Sequence, residues 1–430
     1  MVRGEPKKSF SIRSKKKVKS DIDRISTGST DQRPTVKVFL PNGEFRSVKC
    51  GDTTDIKDII HLVIESLGVN VVTAHIFYGM RIEHPQSQRA FWLRRWFTIQ
   101  EVRAKYEHML PLDECRYTLR IKFFPENLTN FYEKDKASFF FLYDQIKNDY
   151  LNHVAEKVDQ DIAFRLGALE MRRHFKDMPA NALEKKSNFE ILEKEVGFTK
   201  FLPKSIVETM KSKALRKILN SYFRQYSDLD EEQCCHKFLG LLAQIHRYDL
   251  ETFKCSLGSG WTITVDIVIG PRDGISYKAE QGSVITHMTH FKRIQGIKVS
   301  RIASSTVSMP SATDSLKATV NLRVEGTSEP LVFTTSSFVQ ATEMAELIDG
   351  YCQLVGNQKQ SLLNRKLDDR KLPNVPGTQG ANGSQTSSES IPTRHGSLTS
   401  TTTQKDEGNN SGPVVYPSDS IYFKLPKTTR

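Results

Sequence analysis

The most constraining feature of this chain is a hydrophobic period that passes from mixed to purely helical and back again. Val36, Val38 and Leu40 alternate with other positions, Asn42-Gly43 supplies a two-residue turn, and Phe45 to Cys50 returns as a second strand. After the candidate N-caps Asp52-Thr53-Thr54-Asp55, Ile56, Ile59, Ile60, Val63, Ile64 and Leu67 recur at helical spacing, and Gly68 follows as a C-cap. Further strands are predicted at Phe91–Leu93 and Tyr117–Phe124. Hairpin, helix and strands in this order predict a ubiquitin-like β-grasp over 35–126. Residues 127–248 carry helical spacing: aromatic-rich 137–150, a face of Val158, Ile162, Leu166 and Leu169, and segments Met210–Gln225 and Glu231–Ile245. An all-helical lobe is expected there.

The strand period resumes over 251–336. Candidates are Cys255–Leu257, Trp261–Ile269 ending at the turn Gly270–Gly274, Val284–Thr289, Ile297–Ile302, Leu316–Val324 and Leu331–Thr334. Phe338, Ala341, Ala345, Ile348, Cys352 and Val355 then mark one closing helix. Antiparallel strands closed by one amphipathic helix predict a pleckstrin-homology or phosphotyrosine-binding-like β-sandwich over 249–356. The fold class is therefore α+β multidomain, and 430 residues accommodate roughly three domains.

Charge separates core from tails. Residues 1–33 hold ten basic and four acidic side chains, and 357–430 hold ten and six, so the part between carries little of the net +12. The near-neutral middle argues against a specific nucleic-acid partner. Residues 1–34 read as a disordered basic arm, whose Lys15-Lys16-Lys17-Val18-Lys19 suits a solvated tail, nuclear import or an anionic membrane. Residues 357–430, rich in Ser, Thr, Gly, Asn, Gln and Pro, read as a disordered tail. No run of about 18 apolar residues is present, and Met1 to Arg33 lacks the apolar stretch of a signal peptide. Six cysteines without a CxxC pair suit reduced thiols, and adjacent Cys234 and Cys235 read as packing residues. His287 and His290 lack a third metal-ligand partner, and no Ser-His-Asp or Cys-His set assembles. No catalytic residue, metal or cofactor is expected.

The segments VDQDIAFRLGALEMRR (158–173), NALEKKSNFEILEKEVG (181–197), FLPKSIVETMKSKALRKIL (201–219), GSGWTITVDIVIGPRDGISY (258–277) and ELIDGYCQLV (346–355) closely resemble the FERM region of the focal adhesion kinase family. The resemblance spans roughly 35–376. It implies a three-lobed FERM module whose helical lobe is an acyl-CoA-binding-protein-like bundle. In that family a tyrosine kinase domain follows, but no glycine-rich loop, catalytic-loop or DFG string occurs here. The expectation is a non-catalytic regulatory and scaffold module. It would couple membrane phosphoinositides and adhesion-receptor signals to kinase regulation at the cytoplasmic membrane face, in focal adhesions, with a nuclear role also open. Alternatives are the N-terminal part of an active non-receptor tyrosine kinase, or a generic cytoskeletal membrane linker.

The same resemblance implies the sites. On the helix from Met210, the residues Met210, Ala214, Leu215, Ile218, Leu219, Tyr222 and Phe223 form one face at about 100° per residue. Lys213, Arg216, Lys217 and Arg224 gather opposite, with Lys211 at the margin. An ordinary solvated face would look similar. Lys211, Lys213, Arg216 and Lys217 occupy the family's phosphoinositide-binding stretch, with phosphatidylinositol 4,5-bisphosphate as ligand. At about 1 kcal/mol per cation, four cations supply about three decades of membrane affinity. Lys185 and Lys186 form a secondary basic pair. Phe175, Met178, Asn188 and Ile191 match positions that dock on the kinase domain, where exposed Phe and Met would make an apolar anchor; plain core packing is the alternative. Phe175 and Phe189 stand where relatives carry Tyr. Pro373 and Pro376 form a PxxP ligand for the Src-homology-3 domain of a Src-family kinase, and Tyr422 is the candidate phosphotyrosine. Receptor cytoplasmic tails complete the implied partners.

Overall fold

Strands β1 (Thr35–Phe39) and β2 (Phe45–Lys49) form the expected hairpin. Gly43 turns it at φ +82°, and Asn42 Oδ1 accepts from the Glu44 amide at 3.0 Å. Helix α1 (Ile56–Ser66) buries Ile56, Ile59, Ile60, Val63 and Ile64. None of the residues Asp52 to Asp55 caps α1 through its side chain, contrary to expectation. The amides of Ile56 and Lys57 instead donate to the carbonyls of Phe97 and Arg95 at 2.8 and 2.9 Å. Tertiary pairing thus satisfies donors that a capping side chain would otherwise meet. There follow α2 (Val71–Ala74), β3 (Tyr78–His84), β4 (Arg89–Trp92), α3 (Ile99–Tyr106) and β5 (Arg116–Ile121). The sheet order is β2-β1-β5-β3-β4, with β1 parallel to β5. β3 escaped the sequence pattern because Tyr78 to Ile82 are all buried, which removes the alternation.

Helices α4 (Leu128–Lys134) and α5 (Lys136–Asp149) follow. The Gln145 amide exchanges bonds with the Ile121 backbone at 2.8 and 3.0 Å, and the Tyr78 hydroxyl donates to Ser138 Oγ at 2.9 Å. Residues Thr35–Asn148 belong to one compact unit together with the described residues from Arg247 onward, and Asp149–His246 forms a second. The structure describes residues 35–258, 264–279, 284–302, 317–356 and 360–363 of a computed structural model.

The second unit is helical: α6 (Gln160–His174), α7 (Lys186–Glu195), α8 (Lys204–Thr209), α9 (Ser212–Gln225) and α10 (Glu231–Ile245). α6 is its axis, buried at every position from Leu166 to Met171. Ile162, expected on the buried face, is only half-buried. A Cβ at Gly167 would lie 2.6 Å from Leu202 Cδ2 and 2.9 Å from the Phe201 carbonyl oxygen, so this approach needs glycine. Asp230 and Gln233 form a capping box on α10, and Cys234 and Cys235 are buried.

The third stretch builds one antiparallel sheet of seven strands: β6 (Glu251–Leu257), β7 (Thr264–Gly270), β8 (Gly274–Lys278), β9 (Thr286–Thr289), β10 (Ile294–Arg301), β11 (Ala318–Val324) and β12 (Leu331–Thr335). Their order is β10-β11-β12-β6-β7-β8-β9. Helix α11 (Phe338–Gly356) closes it with Ala341, Met344, Ala345, Ile348, Tyr351 and Cys352. Phe123 joins this core from the end of the β-grasp, edge-on to Tyr351, which stacks on Phe291. Glu346 pairs with Arg94 at 3.1 Å and, more loosely, with Lys122 at 3.8 Å. Beyond Gly356, where the disordered tail is expected to begin, Leu362 and Leu363 pair with Ile297 of β10.

Candidate functional site

The cationic helix starts later than its periodicity suggests. Met210 caps the C-terminus of α8, and α9 begins at Ser212 with Lys211 as its N-cap. Leu215, Leu219 and Phe223 form the buried stripe. Ala214, read as part of the apolar face, is exposed, because at 100° per residue it falls beyond the stripe's edge. Ile218 and Tyr222 are half-buried, and the Tyr222 hydroxyl donates to Asp161. Lys211, Lys213, Lys217 and Arg224 are exposed and Arg216 is half-buried. No acidic residue occupies the first turn of α9. The helix dipole therefore adds to the lysines there instead of being offset, a locally unfavourable arrangement that an anion would relieve.

A second basic element joins this surface. The Arg216 guanidinium donates to the Glu184 carbonyl at 2.6 Å, and Arg224 pairs with the Glu184 carboxylate at 2.7 Å. Glu184 ends a 3-10 turn, Ala182–Glu184, and Lys185 and Lys186 follow as N-cap and first residue of α7. The sequence separates the two basic groups by some 25 residues, whereas the fold sets them side by side. α7 also starts without a side-chain cap or an acidic first turn. Lys186 pairs with Glu190 at 3.1 Å on its exposed flank. Glu184 was missed as part of the site: helical periodicity cannot reveal a carboxylate arriving from another element.

The four expected kinase-docking residues do not form one exposed surface. Met178 is 3% exposed and lies in the core with Met171, Leu183 and Phe189, which corrects its reading as an exposed anchor. The chain turns back after His174, so Met178 points inward while its carbonyl accepts Arg172 at 3.3 Å. Phe175 is half-buried, 4.7 Å from the His174 ring. Asn188 is engaged locally, donating to the Ala182 carbonyl at 2.9 Å. Ile191, 42% exposed, alone presents a large apolar surface. Phe189 is buried and stacks on Phe198 at 4.5 Å. Pro373, Pro376, Tyr422 and the basic arm lie outside the described residues.

The other unit holds a groove of about 660 Å³ among Lys254, Lys317, Thr334, Ser336, Gln340 and Glu343. No expected site residue lines it. Burial pushes the thiol of Cys234 up to about 11 and those of Cys255 and Cys352 up to about 12, so these cysteines stay protonated at neutral pH. None of the six cysteines is joined in a disulfide. Among the described residues no group of three His, Cys, Asp or Glu side chains could hold a metal ion, and no helix is long and apolar enough to cross a membrane.

Comparison with known proteins agrees with this architecture. Models of the FERM N-terminal domain, the FERM central domain and the FAK1/PYK2 FERM domain C-lobe match residues 36–125, 130–253 and 255–362. Together they span about three quarters of the chain in FERM order, and the chain belongs to the FERM family. Its third lobe is of the FAK1/PYK2 kind. The inactive tyrosine-protein kinase kin-32 of Caenorhabditis elegans is 26% identical over 339 residues, 77% of this chain and 38% of that protein. The chain thus spans well under half the length of this relative. The FERM and C-terminal domain complex of Drosophila Merlin aligns with a TM-score of 0.53 at 12% identity, covering 74% of this chain and 95% of that one. The MyTH4-FERM MF2 domain of Dictyostelium discoideum myosin VII gives 0.53 at 15%, covering 75% and 59%. Both share the FERM fold.

Proposed function

We propose that this chain is a non-catalytic membrane-recruitment and kinase-regulating module. The observation that carries the proposal is the joined basic surface of Lys211, Lys213, Arg216 and Lys217 with Lys185 and Lys186. Its ligand is phosphatidylinositol 4,5-bisphosphate in the cytoplasmic leaflet. Each cation near an anionic surface contributes about 1 kcal/mol, so recruitment is strong but reversible and weakens with salt. Arg216 also fixes the Glu184 turn, which holds the lysine pair beside α9 and lowers the ordering cost on binding. The FAK1/PYK2 likeness of the third lobe and the kinase relative support a kinase domain as protein partner. Exposed Ile191 is the apolar contact of that docking, which holds the kinase off until the basic face meets the membrane. Receptor tails and a Src-family kinase bound through Pro373 and Pro376 extend the same role to cell adhesion sites. Sedimentation with vesicles containing the lipid tests the membrane half. Lys213→Ala/Arg216→Ala/Lys217→Ala should bind about two decades more weakly at low salt; equal binding by both proteins would move recruitment off α9.

A further inference from the structure

The joined basic surface carries an exposed hydroxyl among its cations. Ser212 is the first residue of α9 and stands between Lys211 and Lys213. All three side chains are exposed. The chain enters the serine in extended form: Met210 has φ −86° and ψ 133°, and Lys211 has φ −61° and ψ 131°. On the other side, α9 has no side-chain cap and no acidic residue in its first turn, so that turn is held weakly. Leu215 is the first buried residue of the helix, and Ala214 is exposed. Residues Ser212 to Ala214 can therefore leave the helix without uncovering the core. An enzyme that takes its acceptor as an extended strand can reach this hydroxyl, which a serine in mid-helix would not allow.

A phosphate on Ser212 would bring about two negative charges into the middle of these cations. Arg216 lies four residues on, along the same face of the helix. Its guanidinium donates to the Glu184 carbonyl at 2.6 Å, the contact that sets Lys185 and Lys186 beside α9. Phosphoserine offers that guanidinium a charge-assisted partner in place of a neutral carbonyl. The modification thus acts twice: it cancels about two cations' worth of charge, and it draws off the arginine that joins the two basic groups. It also supplies the anion that the first turn of α9 lacks, so the helix keeps its fold.

We infer, resting on the membrane role proposed for this surface, that Ser212 is a phosphorylation site whose modification releases the chain from the lipid. The phosphate comes from ATP through a basophilic serine kinase, one that accepts lysine on both sides of its serine. The bond from Ser212 Oγ to the γ-phosphorus forms as the bond from that phosphorus to the departing ADP oxygen breaks, and the hydroxyl proton passes to the kinase's catalytic carboxylate. At about fivefold per charge, the modified chain binds anionic vesicles about 25-fold more weakly. The coupling is reciprocal: a chain held on the membrane through α9 is a poorer substrate for the kinase.

The test uses the full chain with phosphoserine encoded at position 212, and vesicles containing phosphatidylinositol 4,5-bisphosphate at low salt. The unmodified chain and Ser212→Ala should sediment alike. The phosphoserine chain should bind about 25-fold more weakly, with unchanged circular dichroism reporting that it stays folded. In a second arm, a basophilic serine kinase and ATP should place phosphate on Ser212 of the full chain, read by mass spectrometry, and the vesicles should slow that reaction. A phosphoserine chain that binds as tightly as the unmodified one, while Lys213→Ala/Arg216→Ala/Lys217→Ala binds weakly, would overturn the switch and leave the membrane role of α9 standing. Equal binding by the unmodified chain and that triple variant would remove the membrane role, and the switch with it. A Ser212 left unmodified in the full chain, under conditions that phosphorylate a synthetic peptide of residues 207–218, would also overturn the proposal.

Discussion

Gly350 lies on α11 where the helix meets Phe123. A Cβ at this position would sit 2.1 Å from Phe123 Cε1 and Cζ and 2.9 Å from Cδ1. Relaxed carbon contacts lie near 3.5–4.0 Å, so the ring would have to withdraw by over about 1 Å. Its surroundings resist that. The ring is edge-on to Tyr351 at 5.6 Å, Tyr351 is stacked on Phe291 at 4.9 Å, and the Tyr351 hydroxyl accepts the Phe124 amide at 3.2 Å. Alanine inside a helix gains about 1 kcal/mol over glycine, whereas overpacking costs about 1–3 kcal/mol. With the ring held on these sides, the upper end applies, and Gly350→Ala should lose about 2 kcal/mol net. Urea unfolding followed by tryptophan fluorescence measures it selectively. Trp92 and Trp96 belong to the unit that contains α11, and Asp149–His246 holds no tryptophan. A variant as stable as wild type would refute the argument, because the ring would then yield at no cost.

Glu184 offsets Arg224, so Glu184→Gln should tighten vesicle binding by about fivefold, one cation's worth, in a sedimentation titration. Met178→Ala should cost about 2–5 kcal/mol of stability in the helical unit, followed by circular dichroism, whereas exposed Ile191→Ala should change it by less than about 0.5 kcal/mol. Burial pushes the Glu343 carboxyl up to about 7, with Glu346 and Glu251 adding to the effect and Lys122 and Lys105 opposing it. A group protonated more readily when folded loses stabilising effect as pH rises, so stability should fall between its ordinary 4.5 and about 7. Glu343→Gln should flatten that part of the pH–stability profile measured by urea titration.

The elements legible in the sequence were those with one wet face. α1 and α11 announced themselves through apolar residues at three and four, and the first hairpin through Asn42-Gly43. β3 did not, since burial on both sides erases the period of two. The tail boundary was placed at Gly356 by composition, but the Asp349 side chain recruits Ser361 to Leu363 into the fold. At the candidate site, the opposition of Leu215, Leu219 and Phe223 to the cations could be read from angles alone. Its extension to Lys185 depends on the Arg216 contact with the Glu184 carbonyl, and its partial neutralisation on the Arg224–Glu184 ion pair; both join distant parts of the chain, which no local period encodes. Met178 failed for the converse reason: a Met after a helix end reads the same whether it points in or out.

The most direct test of the account joins its two halves in one assay. The chain is added to an isolated focal-adhesion-type kinase domain, and phosphate transfer is followed with and without vesicles containing phosphatidylinositol 4,5-bisphosphate. The account predicts inhibition by the wild-type chain that the vesicles relieve, and equal inhibition by Lys213→Ala/Arg216→Ala/Lys217→Ala that they do not relieve. Failure of the wild-type chain to inhibit, or equal relief of both proteins by the vesicles, would contradict the claim that this basic surface couples the membrane to a kinase.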